Sequence, residues 1–147
     1  MAVADCDKLG LLTDVAANFE TVREAYRQLG NGNPEGFFAV FADDVISYDA
    51  EGLPYGGTYP GKDGLRELTG KMFNAWEKVT WEITELTGGG DLVVVHLVMT
   101  FTPRGGAPFD HPICEVWRFR DGRVVELRPF YYDTKLIADM LSSATSG

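Results

Sequence analysis

The hydrophobic period of this chain changes near residue 78, from a repeat of three to four residues to an alternation of two, and that order confines it to an α+β fold. Across 13–29, Phe19, Val22, Ala25, Tyr26 and Leu29 fall on one helical stripe, which a Gly-Asn-Gly-Asn run at 30–33 terminates. Pro34 suits the first turn of a second, short helix, because the N–H it lacks is one a helix start leaves unpaired; Phe37, Phe38 and Phe41 follow on it. Val-Ile-Ser-Tyr at 45–48 then reads as a strand with Asp49 at its end. Glycines and prolines fill 52–61, where Gly-Gly-Thr-Tyr-Pro-Gly reads as turns at a pocket rim. A third helix over 62–77 turns Leu65, Leu68, Met72, Phe73 and Trp76 inward.

Four strand patterns come next, at 79–87, 92–102, 109–120 and 123–132, separated by Gly-Gly-Gly, Pro-Arg-Gly-Gly and an Asp-Gly turn. Connections this short join antiparallel neighbours, so these segments form a meander. A twisted sheet cannot bury both faces by itself. The three helices should therefore cover one face, and the expected shape is a cone-like α+β barrel, an antiparallel sheet wrapped around the N-terminal helices and an internal cavity. The outer face is left free for a second subunit.

The 147 residues, 45% of them hydrophobic, suffice for one domain with a real core, and no composition shift divides them. Residues 1–12 read as flexible and 133–147 as a short C-terminal helix and tail. A net charge of −9 repels polyanions, which argues against nucleic acid and anionic membrane surfaces as partners and favours a small hydrophobic molecule. The longest apolar run, 92–99, is broken by His96 and is far too short to span a bilayer, and the acidic N-terminus lacks the basic and apolar regions of a signal peptide. The expected location is the cytoplasm. Cys6 and Cys114 have neither a metal-ligand nor a CxxC spacing, so both read as free thiols, with no metal and no cofactor expected.

Chemistry is concentrated in two carboxylates, Asp49 in FADDVISYDAEG and Glu115 in HPICEVWRFRDGR. A carboxylate turned into a buried face costs several kcal/mol unless it is paired, hydrogen-bonded or neutral, and catalysis is a common reason for keeping one there. Asp49 also reads well as a turn residue. Strand alternation puts His111, Ile113, Glu115, Trp117 and Phe119 on one face.

The segments GNPEGFFAVFADD leading to Asp49, EVWRFRDGRV from Glu115 and RPFYYD near the end resemble the ketosteroid isomerase and SnoaL-like branch of the nuclear transport factor 2-like superfamily, over nearly the whole chain. The resemblance implies Asp49 as a general base and Glu115 as the neutral acid facing the substrate oxyanion, an arrangement for which ketosteroid isomerase is itself a known example of pKa tuning. An ungapped match puts Ala25 at the family's first-helix tyrosine, with Tyr26 one residue on. It also implies that Val94, His96 and Val98 lie on the concave face with Leu127, Pro129 and Tyr131. Asp49, Glu115, His96 and His111 are then the candidate catalytic groups, and Tyr26, Val98, Ile113, Trp117, Leu127 and Tyr131 the substrate-binding ones. The implied activity is cofactor-independent proton transfer (isomerisation, cyclisation or dehydration) on a polyketide, terpenoid or steroid-like ketone. Water activation as in epoxide hydrolysis and a non-catalytic ligand-binding module are the alternatives. A homodimer through the outer face, with Phe130 and Tyr132 in it, is implied as well.

Overall fold

The structure, a computed structural model, describes residues 3–145, and the side chains of 15–143. Four helices, α1 (Val3–Gly30), α2 (Pro34–Phe38), α3 (Gly61–Ala75) and α4 (Thr134–Thr145), accompany six strands: β1 (Phe41–Asp49), β2 (Gly57–Pro60), β3 (Lys78–Gly89), β4 (Leu92–Thr102), β5 (Phe109–Arg120) and β6 (Arg123–Tyr131). The cone-shaped α+β architecture is as expected, an open sheet curved around helices. Helix α1 begins at Val3, well before the predicted 13, and Cys6 lies outside the described side chains.

Local chemistry sets the boundaries. Asn33 accepts from the Gly36 N–H at 3.3 Å and Pro34 follows at the first helical position, so α2 has both a cap and a preset φ. The β5–β6 turn places Asp121 at φ 53° and Gly122 at φ 77°, the pair of left-handed residues that a two-residue hairpin requires. Helix α2 ends at Phe38, and Phe41 opens β1 instead of completing the helix as predicted.

Strand order is β2-β1-β6-β5-β4-β3. Strands β3 to β6 form the predicted meander, but the sheet is mixed: β1 runs parallel to β6, pairing Ile46 with Glu126 and Ser47 with Leu127. A parallel neighbour needs a long crossover, and here everything from β2 to β5 supplies it. Strand β2, read from sequence as turns, is a short edge strand against β1, from Asp49 opposite Gly57 to Ile46 opposite Pro60. Its length and terminal proline suit an edge.

The concave face and the helices share one core. Trp117, fully buried, packs on Phe41 at 5.2 Å between ring centroids and on Tyr26 at 5.7 Å, and Trp76 packs on Phe101 at 4.7 Å. Burying aromatic rings of this size is the main stabilising contribution. It also fixes the strand and helix positions from which the site is built.

Candidate active site

Between α1, α3 and the concave face lies a cavity with about 70 Å³ of space for the centres of water molecules. Helix α3 supplies Leu65, Leu68, Met72 and Phe73 to its wall, and the sheet supplies Trp81, Met99, Ile113 and Leu127. The polar groups that interrupt this surface are chiefly Glu115, Asp49, Tyr26 and Tyr131.

Glu115 sits mid-strand on β5, flanked by Val95 of β4 and Pro129 of β6. Its Oε1 accepts a very short hydrogen bond from the Tyr26 hydroxyl and another from Trp117 Nε1 at 3.2 Å. Oε2 has no hydrogen-bond partner among the described residues and belongs to the side chain that lines the cavity. Glu115 keeps some accessible surface, but its open side faces this cavity and not bulk water. Burial raises its pKa, against the two hydrogen bonds that lower it. Tyr26 is pushed well above the usual phenol range, first by burial and then by the Glu115 charge. Both shifts favour a neutral pair, with the carboxyl proton left for Oε2.

Asp49 ends β1, and its Oδ1 accepts from the Ala50 N–H at 2.7 Å, the turn geometry its sequence suggests. Its Oδ2 accepts from the Tyr131 hydroxyl at 3.4 Å, a long hydrogen bond. Burial raises its pKa from 3.8 to about 7; the Ala50 and Tyr131 hydrogen bonds oppose that rise, and the Glu115 charge adds to it. Asp49 is thus half-ionised near neutrality, as a general base should be. Behind Tyr131 lies the buried Tyr55 hydroxyl, pushed up to about 12 chiefly by burial; the Trp76 indole N–H and the Tyr131 hydroxyl oppose that rise, and Tyr55 in turn raises Tyr131. Neither the Tyr55 hydroxyl nor the Trp76 N–H makes a hydrogen bond of ordinary geometry.

The candidate residues divide accordingly. Asp49, Glu115, Tyr26, Ile113, Leu127 and Tyr131 meet at the cavity. Trp117 faces inward but lies behind the wall, where it holds Glu115. His111 also faces inward, yet it is 2% exposed and lines no part of the cavity. Its Nε2 accepts the Asp133 N–H at 3.1 Å, so its lone pair is occupied in the β6–α4 junction. Burial lowers its pKa, against the Asp133 charge.

His96 and Val98 are corrections. In an antiparallel pair, residues directly opposite share a face; His96 stands opposite Cys114 and Val98 opposite Pro112, whereas Val95 stands opposite Glu115. The concave residues of β4 are therefore Val93, Val95, Leu97, Met99 and Phe101. His96 and Val98, like Val94, are on the outer face, where His96 contacts the Thr87 hydroxyl at 3.0 Å and the Cys114 thiol at 3.4 Å. Sequence reasoning missed Tyr55, which sits in a turn-rich segment without periodicity, and Trp81 as a wall residue. Among the described residues, no group of three or more His, Cys, Asp or Glu side chains could hold a metal ion.

An open α+β sheet curved around helices into a cone is the architecture of the nuclear transport factor 2-like proteins. More narrowly, the chain belongs to the SnoaL-like domain family, whose model matches residues 22–127. An NTF2-like protein of unknown function from Burkholderia pseudomallei is similar at TM-score 0.80 and 26% identity, over 86% of this chain and 98% of its own. TerC, co-crystallized with polyporic acid, is similar at TM-score 0.79 and 22% identity, over 86% of this chain and 98% of its own. A protein with a ketosteroid isomerase-like fold from Catenulispora acidiphila, in complex with trimethylamine, is similar at TM-score 0.68 and 22% identity, over 81% of this chain and 91% of its own. No functionally curated protein matches the sequence. Among the described residues, no helix is long and apolar enough to cross a membrane.

Proposed function

We propose that this protein is a cofactor-independent acid/base enzyme that moves a proton next to a carbonyl group of a hydrophobic, oxygenated small molecule. The observation that carries the reading is the pairing of two unlike carboxyls on one apolar cavity. Asp49 titrates at about 7, and Glu115 is biased towards its neutral form. Burial raises both, and their contacts divide the roles: Asp49, lifted to near neutrality, can take up a proton there, while Glu115, held at Oε1 by Tyr26 and Trp117, keeps Oε2 for a proton to donate.

In this reading the Asp49 carboxylate removes the proton α to the carbonyl. Glu115 donates from Oε2 to the oxygen on which negative charge develops. Tyr26 and Trp117 hold Oε1 and so act as positioning residues that aim the acid. Proton transfer by a placed base contributes about 10²- to 10⁴-fold, and a placed oxyanion donor about 10²- to 10³-fold. Isomerisation, intramolecular cyclisation and dehydration all begin with these steps. Tyr26, Phe73 and Trp81 give the cavity aromatic walls, which suit a flat conjugated ring.

The test is incubation with a panel of cyclic ketones in D₂O, with mass spectrometry of the recovered ketones. Deuterium incorporation or rearrangement that Asp49→Asn abolishes is the expected result. Ketones that bind, quench Trp81 fluorescence and exchange no faster than in buffer would replace the enzyme with a ligand-binding module.

The same reading pairs two copies through the outer sheet face, where Val94, Val98 and Val116 are partly exposed and Phe130 is 55% exposed at the border. Light scattering should then give a dimer that Val98→Asp dissociates, and a monomeric wild type would remove the proposal.

A further inference from the structure

The hydrogen-bonded ladder of the sheet has a gap beside Asp49. Parallel pairing of β1 with β6 stops at Ser47 opposite Leu127. Beyond that point β1 continues to Asp49 on its β2 side, while β6 continues to Tyr131 on its β5 side. Pro129, which has no backbone N–H, stands on β6 just past the divergence and offers no donor with which to extend the ladder.

An outer groove lies over this gap, lined by Ala50, Glu51, Arg128, Phe130 and Thr134 together with Tyr48, Asp49, Pro129 and Tyr131. The last four also line the inner cavity. Asp49 therefore borders both concavities, one the apolar chamber behind the sheet and the other a surface recess. The rim of that recess is polar, with the Arg128 guanidinium stacked 3.9 Å over the Tyr48 ring and hydrogen-bonded to Glu126 at 3.3 Å.

We propose that the gap between β1 and β6 is a water window, through which solvent reaches the Asp49 carboxylate from the outer groove while the substrate occupies the cavity. The inference rests on the reading of Asp49 as the base and adds to it a route for the proton. A base enclosed with its substrate can only return the proton it took. Asp49 open to the groove passes that proton to water and takes another from it. The ligand of the groove is water: its one cation, Arg128, is already hydrogen-bonded to Glu126 and stacked on Tyr48, so no free positive charge is left to hold an organic anion, and Glu51 on the rim repels one.

Thiol accessibility at position 49 tests the window without turnover. Asp49→Cys is made in the full-length protein with Cys6→Ser and Cys114→Ser, and the rate of alkylation by iodoacetamide is read by intact mass. Thr134→Trp narrows the groove alone, Phe130→Ala widens it, and Met72→Trp fills the cavity alone. The window requires that Thr134→Trp slow alkylation by at least about tenfold, that Phe130→Ala hasten it, and that Met72→Trp leave it nearly unchanged, since thiol reactivity follows access at constant environment. Slowing by Met72→Trp with indifference to both groove variants overturns the proposal, whether a second copy covers the groove or the strands close it. Phe130→Ala keeps the test decisive if a tryptophan variant fails to fold. Because no substrate is involved, a failed window leaves the enzymatic reading standing, and a failed ketone panel leaves the window standing.

Discussion

Tyr26 on α1 and Glu115 on β5, 89 positions apart in the sequence, meet in a short hydrogen bond at the bottom of the cavity. The contact ties the first helix to the middle of the sheet and consumes the phenol's only donor. In the proposed reaction the oxyanion donor is therefore the Glu115 carboxyl, with the tyrosine behind it. Tyr26→Phe should lower kcat by about 10- to 10²-fold with little change in KM, the mark of an interaction expressed in the transition state. It should also cost about 1–3 kcal/mol of stability, since Glu115 loses a buried partner. Steady-state kinetics and urea denaturation read the two effects.

Glu115→Gln separates acid from donor. The amide can still donate a hydrogen bond but has no proton to transfer. A fall below about tenfold would assign Glu115 an oxyanion-donor role, and a fall above about 10³-fold would assign it proton transfer or charge.

Asp49→Asn should abolish turnover and yet stabilise the fold at alkaline pH. The folded pKa of Asp49, about 7, exceeds the unfolded value of 3.8, so the folded state binds more protons between them. The stabilisation from this group is full below about pH 4 and is lost as pH rises through 7, a difference of roughly 4 kcal/mol as an upper bound. Calorimetry should show the variant melting roughly 3–8 °C above wild type at pH 8. The two curves should converge near pH 4.

His111 acts in the opposite sense. Its folded pKa lies below 6.5, so the unfolded chain takes up the proton first and stability falls as pH drops through that value. Protonation also removes the acceptor for the Asp133 N–H. The protection of the Asp133 amide against hydrogen exchange, relative to its intrinsic rate, should fall as pH drops below 6.5 in wild type, and His111→Gln should flatten that dependence.

His96→Ala should change kcat/KM less than about twofold, because the side chain lies on the sheet face away from the cavity and surface changes of this kind are usually near neutral. A loss above tenfold would return His96 to the site.

How far the sequence could be read depended on how local each signal was. On β5 the alternation of the strand puts Ile113 and Glu115 on one face, the resemblance puts Leu127 and Tyr131 of β6 with them, and the register agrees, with Ile113 opposite Tyr131 and Trp117 opposite Leu127. On β4 the run Val93, Val94, Val95 is apolar on both faces and carries no period of two. A register set by analogy slipped there by one residue, which moved His96 and Val98 to the wrong side. Strand β2 and the parallel pairing of β1 with β6 depend on partners distant in the chain, and no local pattern announces them. The Tyr26–Glu115 contact was blurred for the same reason. An ungapped match points to Ala25, and only the rotation of α1 against the sheet brings the neighbouring phenol to the carboxyl.

The most direct test of the acid/base assignment is a carbon-detected NMR titration of the Asp49 and Glu115 carboxyl groups, with and without a phenolic enolate analogue. We expect Asp49 to titrate near 7 and Glu115 above its usual 4.5, with both midpoints moved by the analogue. Two carboxyls titrating at their ordinary values and indifferent to the analogue would contradict the assignment.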